Sequence, residues 1–332
     1  MATSLVITSI AAPNPVMAAF AEGCRENDVD FIVIGDAVSP PDFTLSGCDF
    51  WSLERQAGLG NSLAKIIPQR HYSRKNLGYL VAMQRGADVI IESDDDNFPR
   101  KKFWDERKLQ QRVLLLDKAG WVNIYQYFTN ATIWPRGFPL ELIRQPATPL
   151  ANFEIMEAKC PIQQGLADEN PDVDAVYRLV NPLPQSFNQS MQVALGDLSW
   201  CPFNSQNTTW FKEAFPLLYL PSCCSFRMTD IWRSFVAQRI CWANGWQVLF
   251  HGPTVWQERN EHSLLKDFSD EVVGYLNNAS MCEMLEKLQI IPGAENLPHN
   301  LLTCYRALVG LGLVGEGEIS LLEAWLEDIS VL

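Results

Sequence analysis

The sequence predicts an α/β protein, a sheet with parallel strands flanked by helices and followed by a helical C-terminal extension. Three observations predict it. The chain opens on two short apolar runs separated by a helix-length segment, a later apolar run ends in Asp94-Asp95-Asp96, and from about Leu264 the apolar residues recur at helical spacing. Apolar strands joined through a helix imply a parallel pair, with ligands expected at the carboxyl ends of the strands.

Taken in order, Leu5 to Ile10 reads as a buried strand, Val16 to Glu26 as a helix, and Phe31 to Gly35 as a second buried strand ending at Asp36. Neither G-x-G-x-x-G nor G-x-x-x-x-G-K-[ST] follows the first strand, so a glycine loop is not what would hold phosphates. Ser73 reads as the N-cap of a helix carrying Leu77, Leu80, Val81 and Gln84 at helical spacing, closed by Gly86. The strand Ala87 to Glu92 then runs through Ser93 into the three aspartates. From about Trp121 to Asn204, prolines and aromatics predict short strands and ordered loops. There Val173, Ala175, Tyr177 and Leu179 alternate with Asp172, Asp174 and Arg178, which predicts a strand with one polar face. Thr229 reads as the cap of a helix reaching Ala243 and ended by Asn244-Gly245. Further helices are expected within Met281 to Leu288, Leu301 to Leu311 and Ile319 to Leu332. The expected division is an α/β domain over residues 1–262 and a helical extension over 263–332. The acidic, amphipathic extension suits packing on the core or a homo-oligomeric contact better than packing on a membrane.

Composition narrows the partners. A formal net charge of -13 on 332 residues argues against nucleic acid and against an anionic membrane surface, both of which need a basic face. Nine cysteines, an odd number without any C-x-x-C pair, suggest neither a zinc ribbon nor a disulfide framework. The first basic residue is Arg25 and no apolar run reaches the length of a membrane span, so a soluble, cytoplasmic protein without signal peptide is expected. The sequons at Asn130, Asn188, Asn207 and Asn278 then read as chance matches. Eleven tryptophans suit a dense core first and an aromatic cleft second.

Three aspartates at the end of a buried strand concentrate charge that a divalent cation would relieve. Hard oxygen donors suit Mg2+ or Mn2+, which also bridge phosphates. In an extended turn Asp94 and Asp96 would point one way and Asp95 the other, making Asp94 and Asp96 the expected metal ligands. The rival reading is a solvated turn. Arg74, Lys75 and Asn76 at a helix start form a second candidate site, for a pyrophosphate, with surface ion pairs as the alternative.

Several blocks together resemble the STELLO-type glycosyltransferase-like family: Tyr72 to Leu80, the strand ending in Asp94-Asp95-Asp96, Ile133 to Glu141, Ile162 to Ala175, Asn204-Ser205 and Thr229 to Arg239. The resemblance covers roughly residues 3 to 262. It implies a GT-A fold, Rossmann-like with a mixed, mainly parallel central sheet, and a metal-dependent transfer of sugar from a nucleoside-diphosphate donor, uridine-based by expectation, to a glycan or other hydroxyl acceptor. Plant members of the family are Golgi membrane proteins associated with cellulose synthesis, whereas this sequence shows no membrane anchor. On this resemblance Thr8, Ser9, Ile10 and Asp36 would hold base and ribose, with Arg74, Lys75, Asn76, Asp94 and Asp95 completing the donor site. Trp134 and Arg136 would cover the donor sugar, or instead form a buried prolyl turn. Asp168, Asp172 and Asp174 would orient sugar hydroxyls. Asp230 would act as the general base of an inverting transfer, its alternative role being a favourable charge at a helix start. Arg233 and Arg239 read as structural ion-pair partners. His262 is the expected third metal ligand, with His251 behind it. A non-catalytic scaffold of a polysaccharide-synthesising complex is the second functional reading. A phosphotransferase using a triplet aspartate as nucleophile is a weaker third, because D-x-D-x-[TV] is missing.

Overall fold

The computed structural model of the protein describes residues 1–258 and 263–332. The strands are β1 (Thr3–Thr8), β2 (Val29–Ile34), β3 (Asp49–Trp51), β4 (Val89–Ser93), β5 (Asn97–Pro99), β6 (Gln110–Leu116), β7 (Gly120–Trp121), β8 (Glu154–Lys159), β9 (Ile162–Asp168), β10 (Gln192–Leu195), β11 (Ser199–Trp200), β12 (Asn207–Phe211) and β13 (Val248–Gln257). The helices are α1 (Pro15–Glu26), α2 (Leu53–Ala57), α3 (Ser62–Ile66), α4 (Lys75–Gln84), α5 (Ala175–Val180), α6 (Thr229–Ala243), α7 (Leu264–Lys287), α8 (Leu297–Gly310) and α9 (Glu318–Ser330). One open sheet dominates, in the order β3-β2-β1-β4-β12-β9-β13-β10-β6-β8, with β5 on β13 and a separate β11-β7 pair. The expected α/β architecture is the one the chain adopts, a mixed sheet between helical layers with helices at the C-terminus.

The first half is a parallel, Rossmann-like unit. β1 pairs in parallel with β2 and β4, and β2 with β3. Asn14 caps α1 by accepting from the Met17 N–H at 2.9 Å, and Pro15 supplies a first-turn residue whose missing N–H costs nothing. Alternation along the strands feeds two cores. Val6, Ile32 and Ile34 face the larger core with α4 and α6, while Leu5, Ile7, Phe31 and Val33 face α1 and Phe103 on the other side. α4 lies close to the sheet because residue 78 is glycine. A Cβ there would sit 2.5 Å from Val6 Cγ1 and 2.8 Å from Ile34 Cγ1.

Past β4 the sheet turns mixed. β12 runs antiparallel between β4 and β9, and β13 runs parallel to β9 but antiparallel to β10. The C-terminal helices extend the larger core: Met281, Leu285, Leu301, Tyr305 and Trp325 are buried in the same cluster as Trp232 and Phe235 of α6. Arg239 fastens α6 to the end of α7 through the Leu285 and Leu288 carbonyls at 2.9 and 2.7 Å. A charge pair lies at the centre. Glu92 and Arg233, both essentially inaccessible, bond bidentately at 2.7 and 2.9 Å, and Trp210 Nε1 and the Tyr79 hydroxyl donate to the same carboxylate.

Local expectations differ from the structure at four points. Ser73 does not cap α4, because it lies within a 3-10 turn over Tyr72–Arg74 that runs directly into the helix at Lys75. Residues 173–179 do not form a strand, because Asp174 accepts from the Tyr177 N–H at 2.7 Å and nucleates α5. Thr229 is the first residue of α6 and not its cap, since a 3-10 turn over Phe226–Met228 leads straight into the helix. The Asp94–Asp96 segment is a reverse turn between β4 and β5, with the Asn97 N–H 3.4 Å from the Asp94 carbonyl, so alternation along an extended chain does not apply. No described helix is long and apolar enough to cross a membrane, and all nine cysteines are unpaired. Trp134, Trp200, Trp210, Trp232, Trp246 and Trp325 are core residues.

Candidate functional site

A cleft of about 510 Å³ opens where β1, β2 and β4 end. Thr8, Ser9 and Ile10 leave β1, Gly35 and Asp36 leave β2, and Asp94, Asp95 and Asp96 leave β4, so the parallel topology itself gathers them. Much of the remaining wall comes from Arg70 to Tyr72, Asn204 to Gln206, Phe226-Arg227, Asp230, Arg136 and Asp172.

Each aspartate of the turn has its own partner. Asp94 receives Lys75 Nζ at 3.0 Å and presents 39% of its side chain to the cleft. Asp95 accepts from the Ser9 hydroxyl, and its carbonyl accepts from Asn14 Nδ2 at 2.8 Å. Asp96 accepts from Gln257 Nε2 at 3.0 Å and from Asn97 Nδ2 at 3.1 Å. Although Asp94 borders the cleft, the depth of protein around it raises its pKa, and Lys75 offsets this only in part. Burial likewise raises Asp95 against the opposing Ser9 hydrogen bond. The carboxylates of the turn therefore fit a hard divalent cation: the described candidate ligands are oxygens, and a cation would relieve carboxyls that burial resists ionising. Among the described residues no three His, Cys, Asp or Glu side chains converge to hold an ion by themselves. Oxygen donors from phosphate and water are compatible partners of two carboxylates for such a cation.

On the other wall Arg136 joins two carboxylates. Its Nε and Nη2 donate to Asp172 at 2.8 Å each, and its Nη1 and Nη2 donate to Asp230 at 3.1 and 2.9 Å. Burial opposes the charge on Arg136, but Asp172 and Asp230 outweigh it and hold its pKa well above the ordinary value. In return, Arg136 overcomes the effect of burial on Asp172 and depresses that carboxyl to about 2. Asp230 also accepts from the Ser205 N–H at 3.2 Å and the Ile231 N–H at 3.0 Å, so each of its oxygens takes two hydrogen bonds.

This clamp is held from outside the cleft by a residue that sequence reasoning missed. Glu271 of α7, fully buried, accepts from Arg227 at 2.9 and 2.7 Å, from the Ala175 N–H at 2.7 Å and from the Tyr275 hydroxyl at 2.6 Å. The Arg227 carbonyl in turn accepts from Arg136 Nη1. One carboxylate thus fixes both the segment before Asp230 and the segment after Asp172. In sequence it is an acidic residue among others on a helix, and nothing local marks it.

Thr8, Ser9, Ile10, Asp36, Arg74, Asp94, Asp95, Asp96, Arg136, Asp172 and Asp230 line the cleft. Other expected site residues do not, and Arg74, which does, is already committed to the protein. Lys75 is completely buried and donates to the Ser93 carbonyl at 2.8 Å as well as to Asp94, because its helix start is packed beneath the turn. Asn76 is spent on the Leu220 backbone, accepting from its N–H and donating to its carbonyl at 2.9 Å each. Arg74 reaches the cleft but is committed to Gln56 and to the Ile67 and Pro68 carbonyls. Trp134 is buried with its Nε1 2.7 Å from Asp174, which as the α5 cap is also turned inward. Asp168 pairs with Arg100 at 2.8 Å and accepts from the Phe187 N–H at 3.0 Å. His251 belongs to β13, its ring packed beside Gly165 of β9 and not among the residues that line the cleft, and burial lowers its pKa to about 4. His262 lies outside the described residues. Arg70, Tyr72, Asn204, Phe226 and Gln257 enter the cleft without having been assigned roles.

Comparison with known proteins bears out the family resemblance but moves its limits, since the family match reaches through the C-terminal helices beyond residue 262. The family model described as STELLO glycosyltransferases matches residues 227–332. Two curated relatives from Arabidopsis thaliana, the probable glycosyltransferases STELLO2 and STELLO1, are 30% and 29% identical over 317 residues, 90% of this chain. The chain spans only 41% of the length of each. Among solved structures, glucosyl-3-phosphoglycerate synthase from Mycobacterium tuberculosis, in complex with phosphoglyceric acid, aligns with a TM-score of 0.42 and 11% identity over 84% of this chain and 80% of that one. A mycobacterial protein aligns with a TM-score of 0.42 and 10% identity over 84% and 75%.

Proposed function

We propose, from its similarity to the STELLO glycosyltransferases, that the chain transfers a sugar from a nucleoside-diphosphate donor, UDP-based, to a hydroxyl of a glycan or similar acceptor. The observation that carries the reading is the convergence of three aspartates with the ends of β1 and β2 on one cleft. Thr8, Ser9, Ile10 and Asp36 would bind base and ribose. Asp94 and Asp96 would hold Mn2+ or Mg2+, whose chemistry is to neutralise the charge of the leaving nucleoside diphosphate. The Ser9 hydrogen bond would keep Asp95 oriented toward β1, and Lys75 would fix Asp94 from beneath. Asp172 and Arg136 are the polar groups available to the donor sugar.

In an inverting transfer Asp230 would remove the acceptor proton as the hydroxyl oxygen attacks the anomeric carbon from the face opposite the diphosphate. Its four hydrogen bonds set a condition on this role. An incoming hydroxyl must displace the Ser205 N–H or one Arg136 contact before it can donate. That occupancy also favours a second reading, a non-catalytic scaffold. Donor hydrolysis separates the two, since a scaffold releases no nucleotide above background. For the primary reading, calorimetry with UDP and Mn2+ should show binding to wild type and at least a tenfold weaker affinity for Asp96→Ala. Absence of binding to wild type, or equal binding by the variant, would refute the metal-held donor.

A further inference from the structure

Arg70 lines the cleft with its backbone in the left-handed region, at φ 56°. A non-glycine residue is strained there, and such strain persists where the surroundings impose it. Here they do so through Asp36, which accepts from the next backbone N–H, that of His71, at 3.0 Å. The other arginines of the cleft are spent on the protein: Arg74 on Gln56, Arg136 on Asp172 and Asp230, Arg227 on Glu271. No described residue pairs with the Arg70 guanidinium.

Beside it stands an aromatic platform. Phe226 is 50% exposed, an unusual state for a phenylalanine, and its ring meets Tyr72 at 4.9 Å and His71 at 5.4 Å, both nearly edge-on. His71 and Tyr72 stack on each other at 5.7 Å, and burial lowers the His71 pKa and favours the uncharged ring. The platform adjoins Asp230, whose backbone N–H donates to the Tyr72 hydroxyl at 3.0 Å.

We propose that Arg70 and Phe226 form the acceptor subsite, and that the acceptor is a pyranoside bearing an anionic group. The C–H face of the ring would lie on Phe226 and the carboxylate or phosphate would take the guanidinium bidentately, which brings a hydroxyl of the same ring toward Asp230. The assignment rests on the glycosyl-transfer reading of the cleft.

The test is calorimetric, with methyl β-glucoside, methyl β-glucuronide and glucose 6-phosphate titrated into protein saturated with UDP and Mn2+. Wild type should bind at least one of the two anionic sugars tenfold or more tighter than the glucoside. Arg70→Gln should abolish that preference, Phe226→Ala should weaken all three sugars alike, and both variants should keep UDP affinity within twofold. Equal binding of charged and neutral sugars by wild type, binding of none of them, or loss of UDP affinity in Arg70→Gln would each overturn the proposal; the last would give the guanidinium to the donor. If UDP itself does not bind, the donor reading fails, and the same titrations into the empty cleft still decide the subsite.

Discussion

Glu271 and Arg227 meet through two hydrogen bonds at 2.9 and 2.7 Å, and this contact joins a C-terminal helix to the wall of the cleft. The carboxylate is wholly buried, and the guanidinium side chain is 15% exposed. Losing one partner of such a pair leaves the other charged and unmatched, which costs about 3–5 kcal/mol. Glu271→Ala should lower urea stability by about 3 kcal/mol and speed hydrogen exchange over residues 172–175 and 227–230 more than over β1 and β4. A change below about 0.5 kcal/mol, or uniform exchange, would deny Glu271 its clamping role.

Glu92 and Arg233 form a pair buried deeper still. Arg233→Met alone strands the Glu92 carboxylate and should destabilise by about 3–5 kcal/mol. Adding Glu92→Gln removes the stranded charge, so the double variant should recover at least half of that loss in a denaturation-based mutant cycle. Additive losses would mean that the two residues do not act as a unit.

Asp174 predicts a pH dependence. Burial raises its carboxyl from the ordinary value to about 7, against the opposing hydrogen bonds from Tyr177 and Trp134. Between the unfolded value and 7 the native chain keeps a proton that the unfolded chain has released, so stability falls as pH rises through this window and levels off above it. The denaturation midpoint of wild type should therefore drop from pH 5 to pH 8, and the drop should be smaller in Asp174→Asn. An equal slope in both proteins would contradict the assignment.

Under the transfer reading, Asp230→Asn should reduce kcat by about 10²–10⁴ while UDP affinity stays within threefold. Urea unfolding of the same variant separates chemistry from the loss of the Arg136 contact. Transfer within tenfold of wild type, in a folded variant, would remove Asp230 from the reaction.

Close packing makes a last, structural prediction. Gly78→Ala places a methyl between Val6 and Ile34, where 2.5 and 2.8 Å separations leave no room. Overpacking of this kind costs roughly 1–3 kcal/mol, and a thermal melt that matches wild type would show that α4 can lift from the sheet at no cost.

The sequence by itself determined the β1-α1-β2 opening, the strand leading into Asp94, α6 and the helical C-terminus, because apolar periodicity and turn residues act within a few positions of one another. It also determined that Thr8, Asp36 and the three aspartates would share a cleft, since parallel strands leave their carboxyl ends on one edge. Only the tertiary structure decided which of the flanking polar residues face that cleft. Lys75 and Asn76 look like a phosphate cradle in sequence, yet the turn above Lys75 and the Leu220 backbone beside Asn76 absorb their hydrogen bonds. Asp172 and Asp174, two residues apart, part ways because one finds Arg136 and the other caps α5. Glu271 and Arg70 acquire their meaning from partners met, or not met, across the fold. A buried polar group must satisfy itself wherever packing puts it, and that address is set by contacts too distant along the chain for any local pattern to record.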